Sequence, residues 1–100
     1  MPEYTISTQS GSDWVALPAG NLSHHLLPKS LQCEIVDDTD VLTFRSGKAV
    51  ASVSWELAGT WYVSVEGAES SGLADLIAAK VAQQLGDATG QQAVHHKVTD

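Results

Sequence analysis

The residues of this 100-residue chain that could do chemistry are few, and their spacing argues against most reactions. The histidines form two adjacent pairs, His24-His25 and His95-His96. Neighbouring side chains point to opposite faces of a strand and lie about 100° apart on a helix, so an adjacent pair rarely chelates one ion. No HxxxH, CxxC or HExxH spacing occurs, and a zinc or nickel site would need the two pairs to converge across the fold. The expectation is therefore no metal and no cofactor. The stretch DDTD (37–40) holds three carboxylates but lacks the spacing, the Gly and the terminal Glu of a calcium loop. It reads as a solvated turn in which Asp binds its own backbone. Glu34, Glu56 and Glu66 could supply an acid–base pair only in a cleft that shifts their pKa values. Cys33 falls between Leu31 and Ile35, whereas a reactive thiol wants an electropositive, partly exposed site. The serines lie outside any GxSxG context, and the glycines form no phosphate-binding loop. No catalytic residue is assigned, and the chain reads as a non-enzyme.

Charge narrows the partners. Twelve acids against five Lys and Arg give a net charge of −7. The basic residues Lys29, Arg45, Lys48, Lys80 and Lys97 form neither a run nor a stripe. Nucleic acid and anionic membrane surfaces are disfavoured, since binding either depends on neutralising negative charge. A basic or basic-patched protein is the favoured partner. No apolar run approaches the roughly 18 residues of a membrane span. The N-terminal MPEYTISTQS shows neither the basic nor the apolar region of a signal peptide. With a single cysteine and no internal disulfide, the reading is cytoplasmic.

Alternation supplies the architecture. From residue 49, Ala49, Ala51, Val53, Trp55 and Leu57 share one side, and Ser52, Ser54 and Glu56 the other. After Ala58-Gly59-Thr60, Trp61, Val63 and Val65 oppose Tyr62, Ser64 and Glu66. A three-residue loop over 58–60 pairs Leu57 with Trp61 and Trp55 with Val63, although such loops usually carry Gly last. A Ser46-Gly47 turn pairs Phe44 with Ala49, and DDTD as a four-residue loop pairs Ile35 with Leu42 and Cys33 with Phe44. All three corners put Leu31, Cys33, Ile35, Leu42, Phe44, Trp55 and Trp61 on one face, which makes both tryptophans scaffold. The opposite face, with Glu34, Thr43, Arg45, Tyr62, Ser64 and Glu66, meets water.

The segment SSGLADLIAAKVAQQLGD covers the apolar face. Ser71 is the candidate N-cap and Gly86 the candidate C-cap of a helix of about fourteen residues. Leu73, Ala74, Ile77, Ala78, Val81 and Leu85 form its inner stripe. The class is α+β: an antiparallel four-stranded meander under one C-terminal helix, extended to five or six strands if the N-terminal segment joins. Residues 1–30 carry one or two short strands, EYTIST and WVAL, and NLSHHLLPK as a helical turn or apolar loop. Residues 31–86 are the meander and helix. Residues 87–100 are a polar tail, or a last strand around Val94 if something pairs with it.

Leu76 and the strand 61–67 remain outside this scheme, and Trp14 reads as core first and as a partly exposed side chain second. If that strand ends the meander, its edge is open to a partner strand unless residues 4–8 or 93–98 close it. The leading expectation is a small acidic protein-binding module of inhibitor, immunity, chaperone or accessory-subunit type. Tyr62, Ser64, Glu66, Leu76 and Trp14 are its candidate contacts. One alternative is a small-molecule or metal-binding protein, or a minor enzyme, using the histidine pairs and carboxylates. Another is a homo-oligomer, such as a dimer, built by strand-edge pairing.

Overall fold

The computed structural model describes residues 2–11, 13, 14, 17, 22–56, 59–68 and 71–99, the side chains of Ser71 and Thr99 excepted. The chain is α+β. Six antiparallel strands form one open sheet: β1 (Glu3–Thr8), β2 (Glu34–Asp38), β3 (Leu42–Ser46), β4 (Ala49–Trp55), β5 (Trp61–Glu66) and β6 (Ala93–Thr99). Helix α1 (Leu22–Leu26) precedes β2, and α2 (Ser71–Thr89) joins β5 to β6. The spatial order is β2-β3-β4-β5-β1-β6. The four meander strands are consecutive, and β1 inserts between β5 and β6. The edge of the 61–67 strand is therefore closed by residues 3–6 of the same chain, and β6 in turn pairs with β1. The β5 edge is therefore not the open one, because it already spends its backbone groups within the chain, and the strands at the ends of the sheet are β2 and β6. The C-terminal region is likewise a strand rather than a frayed tail, since β1 gives it a partner.

Period-two alternation governs the faces. Residues directly opposite one another in an antiparallel pair share a side, so each row of partners can be followed across the sheet. One inner row runs Leu42, Val53, Val63, Tyr4, and another runs Phe44, Ala51, Val65. All seven are buried. Against them α2 lays Ala74, Ile77, Ala78, Val81, Ala82 and Leu85. Its 19 residues make a rod about 28 Å long, enough to span six strands about 4.8 Å apart. Leu22 and Leu26 of α1 complete the core. Gln84 Nε2 ties α1 to α2 by donating to the carbonyls of His25 and Leu27, at 3.3 Å each. NLSHHLLPK thus contains a helical turn.

The register departs from the sequence reading at all three corners. The β3–β4 turn centres on Gly47-Lys48, with Ser46 opposite Ala49. Gly47, at φ 61°, takes the first central position, where hairpin turns of both favoured types need positive φ. Phe44 then faces Ala51 instead of Ala49. At the β4–β5 corner, Trp55 faces Trp61 and Val53 faces Val63. The Glu56 N–H donates to the Thr60 carbonyl at 2.9 Å, which puts Gly59 last in the intervening loop, where such loops prefer it. Between β2 and β3 a bulge lies between Ile35 and Asp37, so Ile35 faces Phe44 and Asp38 faces Leu42. Asp37 and Asp38 belong to the strand instead of the loop.

Two further expectations fail for local reasons. Gly86 lies inside α2, and the C-terminal cap is Gly90, with φ 72°. The N–H groups of Gly90 and Gln91 both donate to the Gly86 carbonyl, at 2.8 and 3.2 Å, as a left-handed cap requires. The helix begins at Ser71, so its capping position lies outside the described residues. Trp55 and Ile35 keep the inner parity but are not buried, at 46% and 48% exposure. Trp55 ends its strand, and Ile35 sits on the edge strand, so neighbours cover them from one side only. The WVAL strand and Leu57 fall largely or wholly on residues outside the described set.

Candidate functional site

The open face is built from the residues between the buried ones. One row runs Asp37, Thr43, Ser52, Ser64 and Glu3 over β2, β3, β4, β5 and β1. The next runs Ser54, Tyr62, Thr5 and His96 over β4, β5, β1 and β6. A third runs Glu34, Arg45, Val50 and Glu66. Short hydroxyl side chains fill the centre, with Thr43 Oγ1 and Ser52 Oγ 3.4 Å apart. Carboxylates stand around them, and among the described residues neither helix packs on this side. Arg45 meets Glu34 at 3.8 Å with both side chains largely in water, a pair that contributes little.

Tyr62 occupies the middle of this surface. Its phenol is pushed up to about 12 by partial burial, by its hydrogen bond to Glu3, and by the Glu3 and Glu56 charges. Desolvation and nearby carboxylates both disfavour the phenolate. Tyr62 is thus a neutral donor to Glu3 at ordinary pH.

Tyr62, Ser64 and Glu66 are brought together on this one face. Leu76 is exposed on the outer side of α2, across the sheet from them. Trp14 is 8% exposed and donates its indole N–H to the Ile6 carbonyl at 3.4 Å. It is a core residue, buried because β1 lies beneath it. Trp55 and Trp61 meet edge to face with ring centroids 5.3 Å apart. Trp61 is buried, its indole nitrogen without a hydrogen-bond partner among the described residues.

The histidine pairs do not converge. His24 and His25, ring centroids 5.0 Å apart, line a small recess with Lys29, Gln84 and Asp87. His95 borders a different groove beside α2, and His96 points to the open face. Among the described residues no three His, Cys, Asp or Glu side chains gather to hold a metal ion. Burial pushes the Cys33 thiol up, opposed by a hydrogen bond with Ser46, which disfavours the reactive thiolate.

Two polar clusters escaped the sequence reading. Tyr4, buried, donates its hydroxyl to Asp75 Oδ1 at 2.6 Å, and Lys97 Nζ reaches the same oxygen at 3.2 Å. The Tyr4 hydrogen bond and then Lys97 hold the Asp75 carboxyl below its ordinary value. Asp38 accepts from the Leu22 and Ser23 backbone N–H groups and from the Ser23 hydroxyl, capping α1. Both clusters join residues far apart in sequence, and only the Asp of a capping motif has any local signature. They tie β1 to α2 and β6, and α1 to β2. No described helix is long and apolar enough to cross a membrane. Comparison with family models, curated proteins and solved structures finds no match to this chain.

Proposed function

We propose that the chain is a non-catalytic protein-binding module, and that the open sheet face docks a partner surface of basic character. The observation that carries this reading is the flat ladder Thr43–Ser52–Ser64, running from Asp37 to Glu3 across five strands with Tyr62 in the adjoining row. Short hydroxyls let a partner approach the sheet closely, and each can donate or accept. A tyrosine at the centre offers a rigid apolar body with a polar tip, a side chain enriched at interfaces. The carboxylates Glu3, Asp37 and Glu66 and the net charge of −7 would steer a basic surface toward the face and fix its register. A cytoplasmic setting belongs to the same proposal. Its support is the lone Cys33, which suits a reducing compartment.

The test compares two baits, the wild-type chain and the Ser52→Arg/Ser64→Arg double variant. The substitutions leave the buried rows untouched and fill the centre of the face with two cations. A basic protein retained stoichiometrically by the wild type, released by salt and lost from a variant of unchanged melting temperature, is the expected result. Identical retained sets from the two baits would remove the open face from the proposal. A wild-type bait that retains no partner would remove the binding-module reading itself.

A further inference from the structure

Three features not used by the open face lie at the two ends of the sheet, and they complement one another. β6 pairs with β1 on its inner side and, among the described residues, with no strand on its outer side. Beside it runs a groove of about 360 Å³ in which Ala79, Ala82 and Gly86 of α2 are flanked by the polar side chains of Gln83, Asp87 and His95. At the far end, β2 is exposed along almost its whole length, and its Ile35 and Val36 are 48% and 53% exposed. The strands also differ in their polar side chains. β2 (EIVDD) contains Glu34, Asp37 and Asp38 and no base, whereas β6 (AVHHKVT) contains His95, His96 and Lys97 and no acid.

We propose that β2 of one copy adds to the outer edge of β6 of a second copy, so that the sheet continues head to tail. Direction is satisfied without adjustment. Five successive antiparallel pairings separate β2 from β6, so the two strands run oppositely, and a copy shifted sideways meets its neighbour antiparallel. The faces agree as well. With the sheets continuous, Ile35 stays on the helix side and descends toward that groove. Glu34 and Asp37 stay on the open side, where His96 stands. Lys97 is already engaged by Asp75 and Asp38 by α1, so the new polar pairing is between His96 and Glu34 or Asp37. The two symmetric pairings fit less well. β2 against β2 sets like charges face to face, and β6 against β6 leaves Ile35 and Val36 in water.

Such a contact is heterologous and does not close on itself, so assembly lengthens with concentration instead of stopping at a dimer. The area of one short strand pair is below that of a stable interface, and each copy carries −7. Association is therefore weak and reversible. Its polar pair shares Glu34, Asp37 and His96 with the rim of the open face, whereas the Ile35 contact does not, so Ile35→Ser separates assembly from what the open face binds.

The test is sedimentation of the full chain over a wide concentration range, with Asp37→Lys and His96→Glu measured separately and then mixed in equal amounts. The wild type should show an average mass that rises with concentration without a dimer plateau. Each variant, checked for an intact circular dichroism spectrum, should associate several-fold to roughly tenfold more weakly, the scale of losing one close polar pair across strands. The mixture should recover assembly, because the lysine of one variant then meets the glutamate of the other. Should His96→Glu fail to fold, Ile35→Ser tests the same contact from the groove side and should weaken association at unchanged melting temperature. A wild type that stays monomeric, a plateau at dimer mass, or a mixture no more associated than its parts would overturn the proposal.

Discussion

The two faces of the sheet are made by the same strands, residue by alternate residue, and they answer to different physics. On the covered face Phe44, Val53, Val63, Ile6 and Tyr4 are all but sealed from water by α2, and their worth is set by volume and fit. On the open face Thr43, Ser52, Ser64 and Tyr62 keep part of their surface in water, and what they offer is hydrogen-bonding capacity and a pattern of charge. Thr43 and Phe44 are chain neighbours with opposite duties. One strand can therefore support the fold with one set of side chains while leaving the other free to vary with a partner, since changing a half-exposed hydroxyl costs the core nothing.

The largest effect that could break this comparison is a pair of neighbouring truncations. Phe44→Ala should cost about 3–5 kcal/mol, the range for emptying a sealed aromatic site. Thr43→Ala should stay within about 0.5 kcal/mol, its hydroxyl making only a long hydrogen bond to Ser52 among the described residues. Urea unfolding of both variants measures the contrast, and comparable losses would mean that the open face carries stability too. A middle-sized effect concerns the covering helix. Alanine is about 1 kcal/mol better than glycine inside a helix, yet a Cβ at Gly86 would lie 2.8 Å from the Gln91 carbonyl oxygen and 3.7 Å from Ala93 Cβ. That oxygen is backbone and belongs to the return into β6, so Gly86→Ala should lower stability by about 1 kcal/mol despite the propensity. A gain in melting temperature would show that the 91–93 segment yields.

How much of this was legible in the sequence follows from the range of each signal. Face membership needs only a period of two, so Leu42, Phe44, Val53, Trp61, Val63 and Val65 could be assigned inward from alternation alone. Register is harder. It depends on which residue sits at each corner, and moving the β3–β4 pivot by one residue, from Ser46-Gly47 to Gly47-Lys48, changes every partner while preserving every face. The Val36 bulge leaves no periodic trace. Alternation leaves residues 4–8 and 93–98 as equal candidates for the 61–67 edge, because the choice rests on partners about sixty and about ninety residues away along the chain. No local pattern in EYTIST says that Tyr4 will lie opposite Val63 on one side and Lys97 on the other. Of the candidate site, Tyr62, Ser64 and Glu66 were grouped correctly by parity. Trp14 is buried in the core and Leu76 is exposed on α2, so neither lies on that face. Trp55 shows the limit of parity itself, which gives the direction of a side chain but not whether anything covers it.

A smaller effect sharpens the comparison at the place where the covered face reaches a charge. The Tyr4 hydroxyl is the polar end of a buried ring, and its partner Asp75 has its carboxyl held below the ordinary 3.8. A carboxyl lowered on folding contributes stability that is present above its unfolded value and lost as pH falls through its folded value. Tyr4→Phe should therefore melt lower than the wild type at neutral pH, and the gap should narrow in acid below about pH 4. Thermal melts of both chains across that range measure it. A gap independent of pH would assign the loss to packing and not to the hydrogen bond.

The smallest effect tests the open face directly. The chain has two tyrosines, so in Tyr4→Phe the ultraviolet signal of tyrosinate comes from Tyr62 alone. Its midpoint should fall near 12 instead of near the ordinary 10, and Glu3→Gln in the same background should draw it back, because that change removes one of the two charges and leaves only a neutral amide oxygen to accept from the phenol. The sign carries over to stability. A phenol raised on folding contributes stability that is complete below its unfolded value, near 10, and is lost as pH climbs to its folded value. The Glu3→Gln chain should therefore lose less stability than its parent between those limits. A midpoint near 10 in both chains would mean that Tyr62 stands apart from the carboxylates, in open water. The open face would then be a solvated surface without organised polarity, and the difference between the two faces would reduce to burial alone.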